Sequence, residues 1–438
     1  MNLSSVKNLY LRIPPSFLSP LEFVPYKVFA GASYRTQSKI LSYFDNLEVD
    51  EQKNFAEKMG VNFLNDAIKY VPFYREWARD NKIKTVKTLR DLHLFPVIDK
   101  TTVMGRLQDF CDERSSGRYM VSTGGTTGRP MKFYHTGKCY GREWAFLANF
   151  LQKHGLSVDA RRYSLRGVDT LMSDTGIGKN PLYKELKIAP RSLTKNSLIA
   201  NWMEIQKYKG QWIHGYPSLV YQFCLLVEKL NLSLPTVKGV LLISEKLHEF
   251  QKEKISEVLN CSVLSFYGTS ERVVFAPLDD EELVPHPLYG VSEVVNGEHV
   301  GTGYINDGTV LIRYRTGDAV RPKTTVNNLV TSIGQFEGRW LTDSLVGLGG
   351  ETINMTVLNT HDPIITLLKN FQFVQKSVGK VSLRVVPEDH LSDENIAKIL
   401  NLFGKKLGPN YQLDLEVTDE ILSTSRGKHR YIVSDIEQ

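Results

Sequence analysis

The sequence predicts an α/β protein, with a large N-terminal domain of helix-covered β-sheet and a small α+β domain behind it. Three observations carry this. From about Arg118 to Arg315 short β-rich runs alternate with helical stretches, the pattern of a sheet covered by helices. The alternation is cleanest from Val237 to Tyr267. There Val237-Lys-Gly-Val-Leu-Leu-Ile-Ser244 reads as a buried strand, Leu247 to Leu259 as an amphipathic helix, and Cys261-Ser-Val-Leu-Ser-Phe-Tyr-Gly268 as a second strand, parallel to the first through a right-handed crossover. After Gly338 a different pattern begins: Val381-Ser-Leu-Arg-Val-Val alternates like a half-buried strand, Ser392 caps a helix from Asp393 to about Lys406, and Tyr411 to Val417 reads as another strand.

In chain order, about residues 1–95 form a helical entry segment, in which Phe55, Met59, Phe63, Ala67 and Tyr70 recur at helical spacing until Val71-Pro72 interrupts them. The large domain extends over 1–337, a hinge over 338–345, and the small domain, expected to act as a mobile lid, over 346–438. A chain of 438 residues that is 42% apolar can bury cores in two or three units. Its 54 basic and 48 acidic side chains leave +6, spread without a basic block, so nucleic acid is not an expected partner. Cys111, Cys139, Cys224 and Cys261 are far apart and lack metal-ligand spacing, which suits free thiols in a reducing compartment. No signal-peptide core and no run of about 20 apolar residues is present, so a soluble cytoplasmic protein is expected. Phe17, Leu18, Leu21 and Phe23 are suited to resting on a membrane, on a partner, or on the body of the chain itself.

Four segments bear chemistry. Val121-Ser122-Thr123-Gly124-Gly125-Thr126-Thr127-Gly128-Arg129 combines glycines, which let backbone N–H groups approach a ligand, with hydroxyl donors; it suits phosphate oxygens or, more simply, a polar hairpin turn. Tyr267-Gly268-Thr269-Ser270-Glu271 ends a predicted strand with a ring able to stack on a base, a hydroxyl, and a carboxylate that can hold Mg²⁺ or stand as a solvated loop residue. Ser244-Glu245 should lie beside it at the same ligand edge. Arg313-Tyr-Arg-Thr-Gly-Asp318 places a carboxylate after a strand and a glycine turn, where it can accept both hydroxyls of a ribose or serve as a plain turn aspartate. Near the C-terminus, Ser423-Thr-Ser-Arg-Gly-Lys428 offers a positive charge on a glycine-bearing loop, suited to a reacting centre or simply to a basic disordered tail.

In this order, and with Gly338-Arg339, these segments resemble the core motifs of the adenylate-forming (ANL) enzymes. The resemblance is to the phenylacetate-CoA ligase branch and, within it, to CapK-like proteins of capsule and polysaccharide synthesis. Ala67 to Arg75, Leu94 to Lys100, Gly215-Tyr-Pro-Ser218 and Phe371 to Gln375 are similar to accessory signatures of that branch. The resemblance implies an ATP- and Mg²⁺-dependent enzyme that joins a small-molecule carboxylic acid to a thiol, CoA being one candidate, or to an amine. It implies that Ser122 to Gly128, with Thr126 among them, hold the β- and γ-phosphates. The backbone at Ser244-Glu245 and the Tyr267 ring flank adenine, with Gly268 in the same motif; Thr269 meets the α-phosphate, Glu271 binds Mg²⁺, and Asp318 and Arg339 hold the ribose. Lys428 bridges the substrate carboxylate and the α-phosphate.

The chain departs from the pattern in places. Arg129 stands where many relatives have lysine, and the hinge aspartate, Asp343, is displaced by two residues from the common Gly-Arg-x-Asp spacing. Arg272 to His286 contains no cysteine, so no zinc site is expected. For the acid pocket the candidates are Arg166, His214, Gly215 and Tyr216, with structural roles for the His and Tyr and a surface salt bridge for Arg166 as the competing readings. A non-catalytic nucleotide-binding relative, and an adenylyltransferase that leaves AMP on its acceptor, stay open beside the ligase.

Overall fold

The computed structural model describes residues 18–122, 131–166, 175–233, 236–336, 344–358, 360, 362–387, 389–421 and 431–436. Between residues 18 and 95 the chain forms several helices. The helix Val49–Tyr70 opens with a reciprocal capping box between Glu48 and Glu51 and buries Ala56, Gly60, Leu64 and Ala67 along one face. A Cβ on Gly60 would stand 2.6 Å from both Leu89 and the Tyr304 hydroxyl, so the close approach requires glycine here. Val71 is extended, as a residue before proline should be, and Pro72 then serves as the first residue of a second helix, Pro72–Asp80. The interruption read at Val71-Pro72 is thus a junction between helices. Leu18 packs inward at 5% exposure whereas Phe23 is 82% exposed, so the apolar residues at the start divide between core and surface.

Twelve strands form one sheet. In chain order they are β3 (Arg162–Leu165), β4 (Ile177–Asn180), β5 (Glu185–Ile188), β6 (Trp212–Gly215), β7 (Gly239–Leu242), β8 (Ser262–Gly268), β9 (Phe275–Asp279), β10 (Glu282–Leu283), β11 (Gly290–Val295), β12 (Glu298–Gly303), β13 (Tyr314–Val326) and β14 (Leu329–Phe336). A hairpin of β1 (Tyr119–Ser122) and β2 (Lys132–His135) precedes them. The α/β expectation holds, with a division of pairing at β8. On one side β8-β7-β6-β3-β5 are parallel and β4 closes the edge antiparallel; on the other, β9-β10-β14-β13-β12-β11 are antiparallel. The parallel half requires crossover helices, and three of them, Lys195–Tyr208, Pro217–Lys229 and Glu249–Leu259, supply buried apolar residues to a core containing Tyr163, Leu165, Ile213, Val240 and Leu242. The antiparallel half needs only short connections, which is why helical pattern disappears from the sequence there.

The small domain has a four-stranded sheet in the order β19-β18-β17-β20, built from β17 (Leu368–Ser377), β18 (Lys380–Pro387), β19 (Gln412–Val417) and β20 (Ile432–Ser434). The helix Asp393–Leu407 covers it, capped by Ser392, whose Oγ accepts from Asn395 N at 3.3 Å, and it buries Ile399, Phe403 and Leu407. A short hairpin, β15 (Ser344–Val346) and β16 (Thr352–Asn354), leads into it. Its apolar residues, among them Leu345, Phe373 and Phe403, are continuous with the core of the parallel half. All four cysteines are free. Among the described residues no helix is long and apolar enough to cross a membrane.

Candidate active site

Parallel pairing aligns the carboxyl ends of β3, β6, β7 and β8, so Arg166, Tyr216, Ser244-Glu245 and Thr269–Glu271 share one edge. Two residues on this edge hold left-handed backbone without being glycine: Ser244 (φ 69°) after β7 and Arg272 (φ 62°) after β8. Such conformations cost energy and persist where surrounding contacts enforce them. Here they adjoin Glu245 and Glu271 in the chain.

The structure brings Tyr267 and Asp318 together. The Tyr267 hydroxyl donates to Asp318 Oδ2 at 2.7 Å, and both residues are buried at 8% exposure. Asp318 does not follow a strand, as the sequence suggested, but lies inside the thirteen-residue β13. The register between β12 and β13 shifts at this point, where Gly317 takes φ 80° and its N–H donates to Glu298 Oε1 at 2.7 Å. The glycine turn is therefore a bulge, and it re-aims the next side chain toward β8.

Glu271 is also buried, at 6% exposure. The Tyr314 hydroxyl lies 3.3 Å from Glu271 Oε1 and 3.2 Å from Met131 Sδ, linking the acid to the end of the Gly/Thr segment. His135 Nε2 donates to the carbonyl of Ser270 at 3.1 Å. Ser122 pairs with Lys132 across the hairpin, and it is the β2 side, through Met131 and His135, that contacts the Thr269–Glu271 turn. Thr269 carbonyl accepts from Arg272 N at 3.1 Å and its Oγ1 from Val273 N at 3.4 Å, closing that turn. Gly303 supports it from behind: a Cβ there would lie 2.1 Å from the Arg272 carbonyl oxygen.

The side chain of Glu245 is occupied elsewhere. It accepts from Ser218 N at 2.9 Å and Ser218 Oγ at 3.0 Å, capping the helix Pro217–Lys229, and from Asn354 Nδ2 of β16 at 2.5 Å. Its carboxylate thus ties the end of β7 to that helix and to β16, and Asn354 had no sequence signal marking it as its partner. Gly215 is required by close packing, since a Cβ would meet Val220 Cγ2 at 2.4 Å. Tyr216 precedes the helix Pro217–Lys229, its N–H donating to the Leu165 carbonyl at 2.9 Å. Arg166 donates to Ser164 Oγ at 3.0 Å and to Glu185 Oε1 at 2.8 Å, and His214 is 3% exposed and stacks on Trp212. Thr123 to Gly128 with Arg129, and Arg339, Asp343 and Lys428, lie outside the described residues.

Behind Tyr267, His299 is fully buried, edge-on to its ring at 5.4 Å. Burial lowers its pKa to about 3, and burial together with Arg166 and Arg162 holds His214 well below the usual value. Both imidazoles are therefore neutral in the folded protein, while the unfolded chain takes up protons as pH falls below about 6.5. Stability is full above that pH and is lost progressively down toward the folded pKa. His299 alone should contribute roughly 3 kcal/mol of loss between pH 6.5 and 4. Urea unfolding at a series of pH values should show this slope, and His299→Leu should flatten it; an unchanged slope in that variant would refute the assignment.

The candidate site thus lies at the carboxyl edge of an α/β sheet that a small α+β domain follows in the chain. Residues 345–435 match the family described as the CapK C-terminal domain. Over 397 residues it is 24% identical to Protein CapK of Staphylococcus aureus, covering 86% of this chain and 87% of that protein. Solved structures similar to it include a 2-hydroxyisobutyryl-CoA ligase in complex with 2-HIB-AMP and CoA (TM-score 0.48, 16% identity, 89% of this chain and 91% of that one). Another is the GH3.15 acyl acid amido synthetase (TM-score 0.43, 13% identity, 83% and 86%).

Proposed function

We propose that this chain is an ATP-dependent, AMP-forming ligase that activates a carboxylic acid as its acyl-adenylate and transfers the acyl group to a thiol such as CoA or to an amine. The observation that carries the reading is the Tyr267–Asp318 pair, held at 2.7 Å at the carboxyl edge with Glu271 buried beside the β2 root of the Gly/Thr segment. A ring and a carboxylate fixed to each other suit a nucleoside, with adenine against Tyr267 and ribose hydroxyls on Asp318. Among the described residues no three His, Cys, Asp or Glu converge as a metal cage. A single buried carboxylate is instead the donor set for Mg²⁺, which is bound through one or two carboxylates plus substrate phosphates and would neutralise charge on the α-phosphate and departing pyrophosphate.

In the proposed first step an oxygen of the acid attacks the α-phosphorus, the bond to the bridging oxygen breaks, and pyrophosphate leaves. Thr269 and Lys428 supply hydrogen bonds and positive charge where negative charge accumulates. In the second, the acceptor's sulfur or nitrogen attacks the carbonyl, loses its proton, and AMP departs. The small domain acts as the lid, docked in the present arrangement by Asn354 on Glu245. The resemblance to CapK supports a place in capsule or surface-polysaccharide assembly, and ATP consumption supports a cytoplasmic site.

The test is carboxylate-dependent exchange of labelled pyrophosphate into ATP over uronic, aromatic, fatty and amino acids, followed by CoA against amines with free AMP measured. One acid class should support exchange, and Lys428→Ala should lower it by about a hundredfold with ATP still bound. Silence with every acid overturns the ligase reading, and AMP retained on the acceptor selects an adenylyltransferase.

A further inference from the structure

The parallel half of the sheet changes winding direction at β3. From β3 the chain passes, through the antiparallel β4, to β5 on one side, then crosses back over β3 to β6 and continues outward to β7 and β8. In open α/β sheets the crevice at such a switch, beyond the strands' carboxyl ends, is where ligands bind. Here it lies between β3 and β6, and the side chains beneath it are charged. Register places Arg162 beside Glu185 and Trp212, and Ser164 beside Lys187 and His214, all on one face. Along that same face β7 and β8 contribute Leu241 and Leu264. A polar patch in an otherwise apolar layer is costly unless its groups are paired.

The pairing is incomplete. Arg162 Nη2 and Arg166 Nη2 both donate to Glu185 Oε1 at 2.8 Å, so one carboxylate serves two guanidiniums. Arg162 is 1% exposed and its Nη1 has no hydrogen-bond partner; neither ring nitrogen of His214 has one, at 3% exposure. Leaving such groups buried without a partner is unfavourable, so each calls for an explanation. Trp144 and Trp212 hold the Arg162 guanidinium, at 5.6 and 5.2 Å from its carbon, so it cannot swing away to solvent. Arg166, with a side chain 30% exposed, joins this cluster to the carboxyl edge.

We infer that the crevice between β3 and β6 is an anion-binding subsite of the acid pocket, and that the acid activated here carries a second anionic group, a carboxylate or a phosphate, remote from its reacting carboxyl. This rests on the ligase reading for which end reacts. Arg162 Nη1 and Arg166 supply donors for the anion, and His214 supplies one donor and one acceptor to a neighbouring hydroxyl or carboxylate. β3 and β8 are three strand steps apart, about 14 Å at the backbone. Side chains reaching in from both ends shorten that span to one suited to a medium-length diacid or a hexuronic acid phosphate.

The probes are glutarate, adipate and suberate against their monomethyl esters, and glucuronic acid 1-phosphate against glucuronic acid. Each is measured by calorimetric binding to the full chain and by KM in pyrophosphate exchange. At least one dianion should bind about 10- to 100-fold tighter than its monoanionic counterpart, the two arms separating carboxylate from phosphate. Arg166→Gln should collapse that ratio with a much smaller change in the KM for ATP, and His214→Asn provides the same comparison should the first variant fail to fold. Equal binding within every pair, or a ratio unmoved by both variants, overturns the subsite. Dianion preference in calorimetry without exchange for any acid would leave the subsite standing and remove the ligase reading; exchange with monoanionic acids and no preference would do the reverse.

Discussion

In Glu271→Gln, pyrophosphate exchange should fall by about 10²- to 10³-fold with little change in thermal stability. The substitution keeps the shape of the side chain and the oxygen that lies 3.3 Å from the Tyr314 hydroxyl, so it removes charge and little else. The residue is 6% exposed, beside the hairpin that carries the Gly/Thr segment, and a carboxylate at that depth is strongly felt by a divalent cation on phosphate oxygens. The Mg²⁺ requirement should also move to higher concentration, whereas a residue acting only through packing would leave it unchanged. Activity within threefold of the parent, at unaltered Mg²⁺ dependence, would remove Glu271 from the metal site.

A second large effect is expected on stability. Glu185→Ala should cost about 3–5 kcal/mol, read as the fall in unfolding free energy in urea. Burial alone would push the Glu185 carboxyl up, but Arg162, Arg166 and Lys187 more than offset this and hold it below the usual carboxylate range. Its stabilising contribution is therefore present above the unfolded pKa and is lost as pH falls through the folded one. Removing the carboxylate leaves the Arg162 guanidinium, 1% exposed, without its anion. Arg162→Met combined with Glu185→Leu should recover much of the loss, because an apolar pair of similar volume abolishes the desolvation cost on both sides. A single-variant cost below about 1 kcal/mol would mean that the pair is hydrated.

Local pattern made several elements legible. The strand, helix and strand between Val237 and Tyr267 are present as β7, the helix Glu249–Leu259 and β8, because buried β-branched runs and a capped amphipathic stretch are decided within a few residues. Ser392 caps its helix for the same reason. Tyr267, Glu271 and Asp318 could be singled out by residue type and motif order. That Tyr267 donates to Asp318 could not, since they are 51 residues apart and meet only because a bulge at Gly317 turns β13 toward β8.

Arg162 and Glu185 went unread at the sequence level. The alternation in Arg162-Tyr-Ser-Leu and Glu185-Leu-Lys-Ile shows which residues share a face of their own strand, but not which strand lies alongside. By itself the sequence determined an α/β chain with a capped α+β unit behind it and named most acids of the candidate site, because propensity, capping and side-chain period act over a few residues. Only the tertiary structure decided that the sheet turns antiparallel beyond β8, that Glu245 caps a helix and receives Asn354, and that two arginines converge on one buried carboxylate beneath the switch point. Strand order and register set these contacts, and both arise from pairing across the whole sheet, where the burial of one face selects among many locally equivalent arrangements.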